Sequence, residues 1–242
     1  MRSSLVLVTA LLCAASLPQC MRVTDGIEVD VAYQPEATPA QIRTDLGYRV
    51  SLDRALIALG QVELIRCDNF VADLLGLFRA ARARAHALDT PTSLGEPLVL
   101  DLMEGAGTPE YAGTMKPPPG RYCGVRIVGM PADSDAAGLN EKTQEMTEHT
   151  VLIEGLVRAD GDEVGAPLLV PIGELFERDL RFERPLLFEG PVVQNISIQI
   201  DHTSWFDGID FALLSANAVR QRITENVRSS LQVALPNAED GF

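Results

Sequence analysis

Residues 149–201 read HTVLIEGLVRADGDEVGAPLLVPIGELFERDLRFERPLLFEGPVVQNISIQID. Short apolar runs over 149–157, 165–171, 180–188 and 193–201 are broken by clusters of Gly, Asp, Glu and Pro, and no helical period joins them. That pattern predicts four strands. Asp160-Gly161 between the first two predicts a tight hairpin. Pro185 cannot donate to a ladder and pushes its strand to a sheet edge. The alternation of strand and helix that a parallel sheet needs is absent, so the stretch predicts a mainly β fold, an antiparallel β-sandwich.

The same period continues upstream. Ile27 to Tyr33 alternates, as do Tyr48 to Leu52 and Arg121 to Val128. Leu56 to Ile65 is apolar and interrupted at Gly60, which predicts a bulge or bend. Pro97 to Met103 predicts a further strand, and Pro117-Pro118-Pro119-Gly120 a stiff turn. Residues 34–45, with Pro35 and Pro39, predict a loop; residues 130–147 are polar and turn-rich.

Two segments change period. Phe70, Leu74, Leu75, Phe78 and Ala81 recur at helical spacing, with Arg79, Arg82 and Arg84 toward the end, where cations suit the helix dipole. A helical insertion over 70–87 is expected, with an irregular excursion as the alternative. Near the C-terminus, Ser215 is a good N-cap, and Val219, Ile223, Val227 and Leu231 repeat every four residues. One amphipathic helix of about four turns, packed on a sheet, follows. No linker divides the chain, so residues 21–242 read as one domain.

Residues 1–20 set the expected compartment. Arg2 precedes a 13-residue apolar run, Leu5 to Leu17. A membrane span needs about 20 apolar residues, so the run reads as a signal peptide. No later segment reaches spanning length. Leu17-Pro18-Gln19-Cys20 partly fits a bacterial lipobox, which would put a lipid on Cys20. Cleavage near Ala14-Ala15-Ser16 is the alternative. Either way the working chain lies outside the cytoplasm. Cys13 lies in the discarded leader and Cys20 is lipidated, free or discarded, which leaves Cys67 and Cys123. In an oxidising compartment two cysteines usually pair, so a Cys67–Cys123 disulfide is expected, with metal ligation by both as the alternative.

Composition excludes several classes. The 242 residues carry a formal net charge of −14, from 34 acidic and 20 basic side chains. Removing residues 1–19 takes away Arg2 and no acid, leaving the remainder one unit more negative. Such a surface repels phosphate, which argues against nucleic acid and against docking on anionic lipid through basic residues. The only expected hold on a membrane is a lipid on Cys20. At 46% hydrophobic residues the chain is not a disordered acidic tail. One tryptophan and 5% aromatics exclude an aromatic-rich carbohydrate platform.

Three segments together carry a resemblance. They are Gly47-Tyr48-Arg49-Val50-Ser51-Leu52-Asp53-Arg54-Ala55, continuing through Leu59-Gly60 to Val62-Glu63-Leu64; Pro118-Pro119-Gly120-Arg121-Tyr122-Cys123-Gly124-Val125-Arg126; and Trp205-Phe206-Asp207-Gly208-Ile209-Asp210-Phe211, followed by Asn226-Val227-Arg228-Ser229-Ser230-Leu231. The combination resembles uncharacterised envelope lipoproteins of Gram-negative bacteria with a β-sandwich domain. More distantly, it is similar to the periplasmic copper-binding partner proteins of methanobactin systems. The resemblance covers about half the chain in short patches and contains no catalytic signature. It implies an exported β-sandwich concerned with a metal. The copper-binding relatives use a histidine and a modified tryptophan; the matching pair here is His202 and Trp205. Their late run of aromatics is missing from this chain.

The donors available to a metal are few. The histidines are His86, His149 and His202, and a first-row metal wants two or more His or Cys ligands converging. Asp201, His202 and Trp205 follow the strand 193–201 and are expected at a loop mouth. There His202 and Asp201 are candidate ligands and Trp205 a ligand wall. The alternative makes Trp205 a core cap and His202 a solvated turn residue. Met146 and His149, three apart, are a second candidate pair, since extracellular copper sites use Met with His. In the alternative His149 opens a strand. His86 ends the arginine-rich helix, where a protonated imidazole suits the dipole. Asp160-Gly161-Asp162-Glu163 lacks the spacing of an EF-hand, and Asp133, Asp135 and Glu141 read as a solvated acidic loop or a weak calcium site. No Gly-x-Ser-x-Gly, Walker loop, dinucleotide fingerprint or His-Glu-x-x-His occurs.

The sequence therefore points to an exported or lipid-anchored binding or accessory protein without catalysis. Its most specific form handles copper or another divalent metal. Two other readings stand beside it: an envelope protein that binds a protein partner and no small ligand, and a hydrolase whose site no motif reveals.

Overall fold

The computed structural model describes residues 26–37, 39–69, 89–104 and 107–235. The expected signal peptide, Cys20, the helical insertion 70–87 and His86 lie outside the described residues.

The fold is built on one long strand. The two runs expected at 48–52 and 56–65 are a single strand, β3 (Tyr48–Arg66). Its buried inward residues are Val50, then Ala55, Ile57 and Leu59, then Val62 and Leu64. The parity changes twice because the ladder slips at Leu52/Arg54 and again at Leu59/Gln61. A bulge inserts one residue and returns the next apolar position to the core face. Gly60 occupies the second slip, as expected, and Met130 lies against it: an added Cβ would fall 2.2 Å from its sulfur.

One edge of β3 carries β2 (Ile42–Arg43), β5 (Leu98–Asp101) and β4 (Ser93–Leu94). The other edge carries two strands end to end. β8 (Val151–Ala159) pairs the first half and β7 (Gly120–Gly129) the second, and they meet at Ala58. The Ala58 N–H donates to Thr150 O at 2.8 Å, and its carbonyl accepts from Met130 N at 3.3 Å. Beyond them β9 (Ala166–Ile172) pairs β8, and β10 (Phe176–Phe188) pairs β7. Pro185 sits in this outer strand at a register slip between Arg181 and Leu186, so the edge placement holds. The β8–β9 connection is longer than a two-residue hairpin. A turn at Ala159–Asp162, with Gly161 at φ +98°, opens it, and β9 begins at Ala166.

The second sheet has the order β12 (Leu231–Ala234), β11 (Val192–Ile200), β1 (Ile27–Pro35), β6 (Glu110–Met115). It covers the first, with β6 beside β4 and β12 beside β10. The sandwich is antiparallel apart from one pair: β1 and β11 run parallel, Ile27 opposite Val192 through Pro35 opposite Ile200. The inward faces, including Val29, Val31, Tyr33, Ile196, Ile198 and Ile200, complete the core.

The amphipathic helix forms as its period requires. It is α1 (Ala216–Ser230), with Val219, Ile223 and Val227 buried against β9, β10 and β12. Ser215 Oγ accepts from Ala218 N at 3.3 Å and caps the first turn. Leu231, the last residue of the period, starts β12 rather than closing the helix.

The expected disulfide is present. Cys67, just after β3, joins Cys123 on the neighbouring β7, across 56 residues of sequence with Cα atoms 5.0 Å apart. Among the described residues no helix is long and apolar enough to cross a membrane.

Candidate functional site

The short 3-10 turn at His202–Phe206 joins β11 to the loop before α1. Asp201 opens it. Its Oδ1 accepts from Thr203 N at 3.0 Å and Thr203 Oγ1 at 2.5 Å, while Ser204 Oγ donates to its carbonyl at 3.0 Å. Within the turn His202, Trp205 and Phe206 are buried. The His202 and Trp205 rings meet edge to face, 6.1 Å apart.

Trp205 belongs to the core and shows no face to solvent. Its Nε1–H donates to Ser230 Oγ at 2.9 Å, and Ser230 in turn donates to Val227 O at 2.8 Å. Asn226 Nδ2 donates to the Trp205 carbonyl at 3.0 Å and to the Asp207 carbonyl at 2.8 Å. The last turn of α1 thus holds the whole 3-10 turn in place.

A third element closes the cluster. Asp45 Oδ1, in the β2–β3 turn, accepts from Gly208 N at 2.7 Å, where Gly208 has φ +69°. Tyr48 OH donates to Asp210 Oδ1 at 2.7 Å, and the Tyr48 ring meets Phe211 edge-on at 5.3 Å. The sequence stretches around Tyr48, Trp205 to Phe211, and Asn226 to Ser230 are therefore one contact region.

The electrostatics separate these groups. Burial lowers the His202 pKa from its ordinary 6.5, against the Asp201 charge and a hydrogen bond to the Ile200 backbone, so the neutral imidazole is favoured. Burial raises the Asp207 carboxyl above its ordinary value, against a hydrogen bond from the Asp45 backbone, with the Asp45 and Asp201 charges adding to the rise. Asp210 moves the other way, because Tyr48 OH and the Ala212 and Leu213 N–H groups donate to it.

Of the sequence-derived donors, the structure places Asp201 and His202 side by side in sequence at this turn. His202 is wholly buried, not the solvated turn residue of one sequence reading. Met146 and His149 are elsewhere. Met146 is buried on the outer face of the large sheet, against Leu56, Ala58, Val99, Ala132, Ala136 and Leu152. Successive residues of β3 face opposite sides, so Leu56 and Ala58 turn away from the core that holds Trp205. His149 N donates to Met146 O at 3.3 Å, and its side chain is half-exposed just before β8. Among the described residues no three His, Cys, Asp or Glu side chains are grouped to hold a metal ion. Asp45, Asp207 and the Tyr48–Asp210 pair escaped the sequence reading. Gly208 between Asp207 and Asp210 was the available signal, since a glycine among acids marks a turn whose N–H groups seek carboxylates.

No family model matches the chain, and no curated protein matches it. Among solved structures, MbnP from Methylosinus trichosporium aligns at 12% identity and a TM-score of 0.31, over 71% of this chain and 74% of that chain. This is a weak, distant likeness that assigns no activity.

Proposed function

We propose that the chain is an exported, non-catalytic binding or accessory protein of the cell envelope. The Cys67–Cys123 disulfide carries this reading, because disulfides persist in oxidising compartments and are rare where thiols are kept reduced. The apolar N-terminal run supplies the route. Fractionating cells that express the full chain tests it. A processed chain in the envelope fraction, oxidised at both cysteines, is expected; an unprocessed, reduced chain in the cytoplasm would contradict it.

The finer proposal is metal handling at the turn after β11, with copper or another divalent cation on His202 and Asp201. It is supported by the neutral imidazole, the form that ligates. His202 is buried, Asp201 is engaged by Thr203, and Met146 lies across the sheet. Titrating the purified protein with copper(II), then zinc, while following Trp205 fluorescence separates the finer proposal from the coarser one. Micromolar retention lost in His202→Ala supports it. No retention in the wild type removes the metal and leaves the accessory role.

A second reading, an interaction protein of the envelope, is favoured by the outer edge at β9. Leu169 is 65% exposed, with Val164 at 84% and Leu175 at 57% on either side. Exposed apolar side chains that join into a contiguous patch mark interaction surfaces. A partner recovered from envelope extracts with the wild type, and lost with Leu169→Lys, is the expected result on that reading. Equal recovery with both chains would contradict it.

A further inference from the structure

Phe176, Arg178, Leu180 and Phe182 share the inward parity of β10, and the three apolar side chains are buried. An arginine in that register is out of keeping with its neighbours. Its Nε is buried and has no hydrogen-bond partner. A desolvated guanidinium N–H without an acceptor costs more than a satisfied one gains, so the position calls for an acceptor. Arg178 lines an open cleft of about 310 Å³, together with Glu177, Asp179 and Arg228 from the last turn of α1.

The cleft is lined by two acidic and two basic side chains. Asp179 is held by Arg126 of β7, whose Nε and Nη2 donate to its two oxygens at 2.7 and 3.0 Å. That pairing leaves two guanidinium groups, Arg178 and Arg228, facing the cleft with Glu177 as the other carboxylate. Planar guanidinium forks match oxyanions in shape and hydrogen-bond direction. The cleft is open and its lining is charged, which suits a small polar ion rather than an apolar ligand.

We propose that this cleft, between the start of β10 and the end of α1, binds a small oxyanion, a carboxylate or phosphate group held by Arg178 and Arg228. Two carboxylates in the lining, Glu177 and Asp179, set the cleft apart from a general basic patch. The site is independent of the turn at His202 and of the accessory role proposed above.

The test is a calorimetric titration of the whole exported chain with inorganic phosphate and, separately, with succinate. Binding of one or both in the millimolar range or tighter, weakened by added sodium chloride, is expected. Binding by phosphate alone assigns a phosphate group, by succinate alone a carboxylate, and by both the shared oxyanion chemistry. Arg228→Gln, an exposed helix position, is expected to weaken binding about tenfold or more, as one lost charge-assisted contact does. Arg178→Lys keeps the charge but loses the fork, and is expected to weaken it with unchanged melting. No binding of either anion at about 50 mM, or equal affinity in wild type and both variants, overturns the proposal.

Discussion

At His202 burial outweighs a neighbouring negative charge, and this has a pH signature. The unfolded chain takes up a proton near the ordinary value of 6.5, and the folded chain only at lower pH. Between the two the unfolded state binds more protons, so stability rises with pH across that window and falls on acidification through it. The contribution is unimpaired above 6.5. Denaturant midpoints measured from pH 7 to pH 5 should fall more steeply for the wild type than for His202→Asn, and parallel curves would contradict the burial argument. Asp207 works in the opposite sense. Its carboxyl is raised by burial, with a hydrogen bond from the Asp45 backbone opposing and the Asp45 and Asp201 charges adding, so ionising it is less favourable in the folded chain than in the unfolded one. Asp207→Asn keeps the backbone carbonyl that Asn226 uses, and should raise the melting temperature at pH 7; a lower one would show that the carboxylate itself holds the turn. Trp205→Phe removes the donor to Ser230 while leaving a ring in the core, a loss of about 1–3 kcal/mol by chemical denaturation.

At the scale of the element, the strands fold as their alternation dictates, and the misreadings have local causes. β3 looked like two runs because bulges at Leu52/Arg54 and Leu59/Gln61 reset its period, which a one-dimensional pattern records as a break. β6 went unread because Glu110 to Met115 has only Met115 fully buried and carries Gly113 in its centre. β12 went unread because Leu231 completes the helical period of α1, so two elements share one residue's signal. Gly124 shows how close β7 and β10 lie: a Cβ there would stand 2.1 Å from Leu180 O. Gly124→Ala must therefore push β10 off its ladder, an overpacking loss of about 1–3 kcal/mol. Ser215→Ala, which deletes the helix cap, should cost about 1 kcal/mol. Equal stability of Gly124→Ala and the wild type would show that the ladder opens freely.

Across the whole molecule, class and layer arrangement were legible in the sequence, while long-range placement was not. Period-two runs and one amphipathic helix announce a sandwich. They do not say that β1 pairs in parallel with β11, since nothing local in either strand records a partner over 150 residues away. The candidate site was legible in part for the same reason. Asp201, His202 and Trp205 are neighbours in the chain and stay together, whereas Met146 is drawn to the outer face by Ala132 and Ala136, small residues that make room for it. Tyr48 meets Asp210 across 162 residues, a contact that only the fold creates. The disulfide spans the whole passage between β3 and β7, and by loop entropy alone it contributes roughly 4 kcal/mol. The central claim, an exported domain closed by Cys67–Cys123, is tested most directly by non-reducing intact mass and peptide mapping of the full-length protein recovered from the cells that express it. The account predicts a chain shortened at its N-terminus and a linked Cys67–Cys123 peptide pair; an uncleaved chain with both thiols free would contradict it.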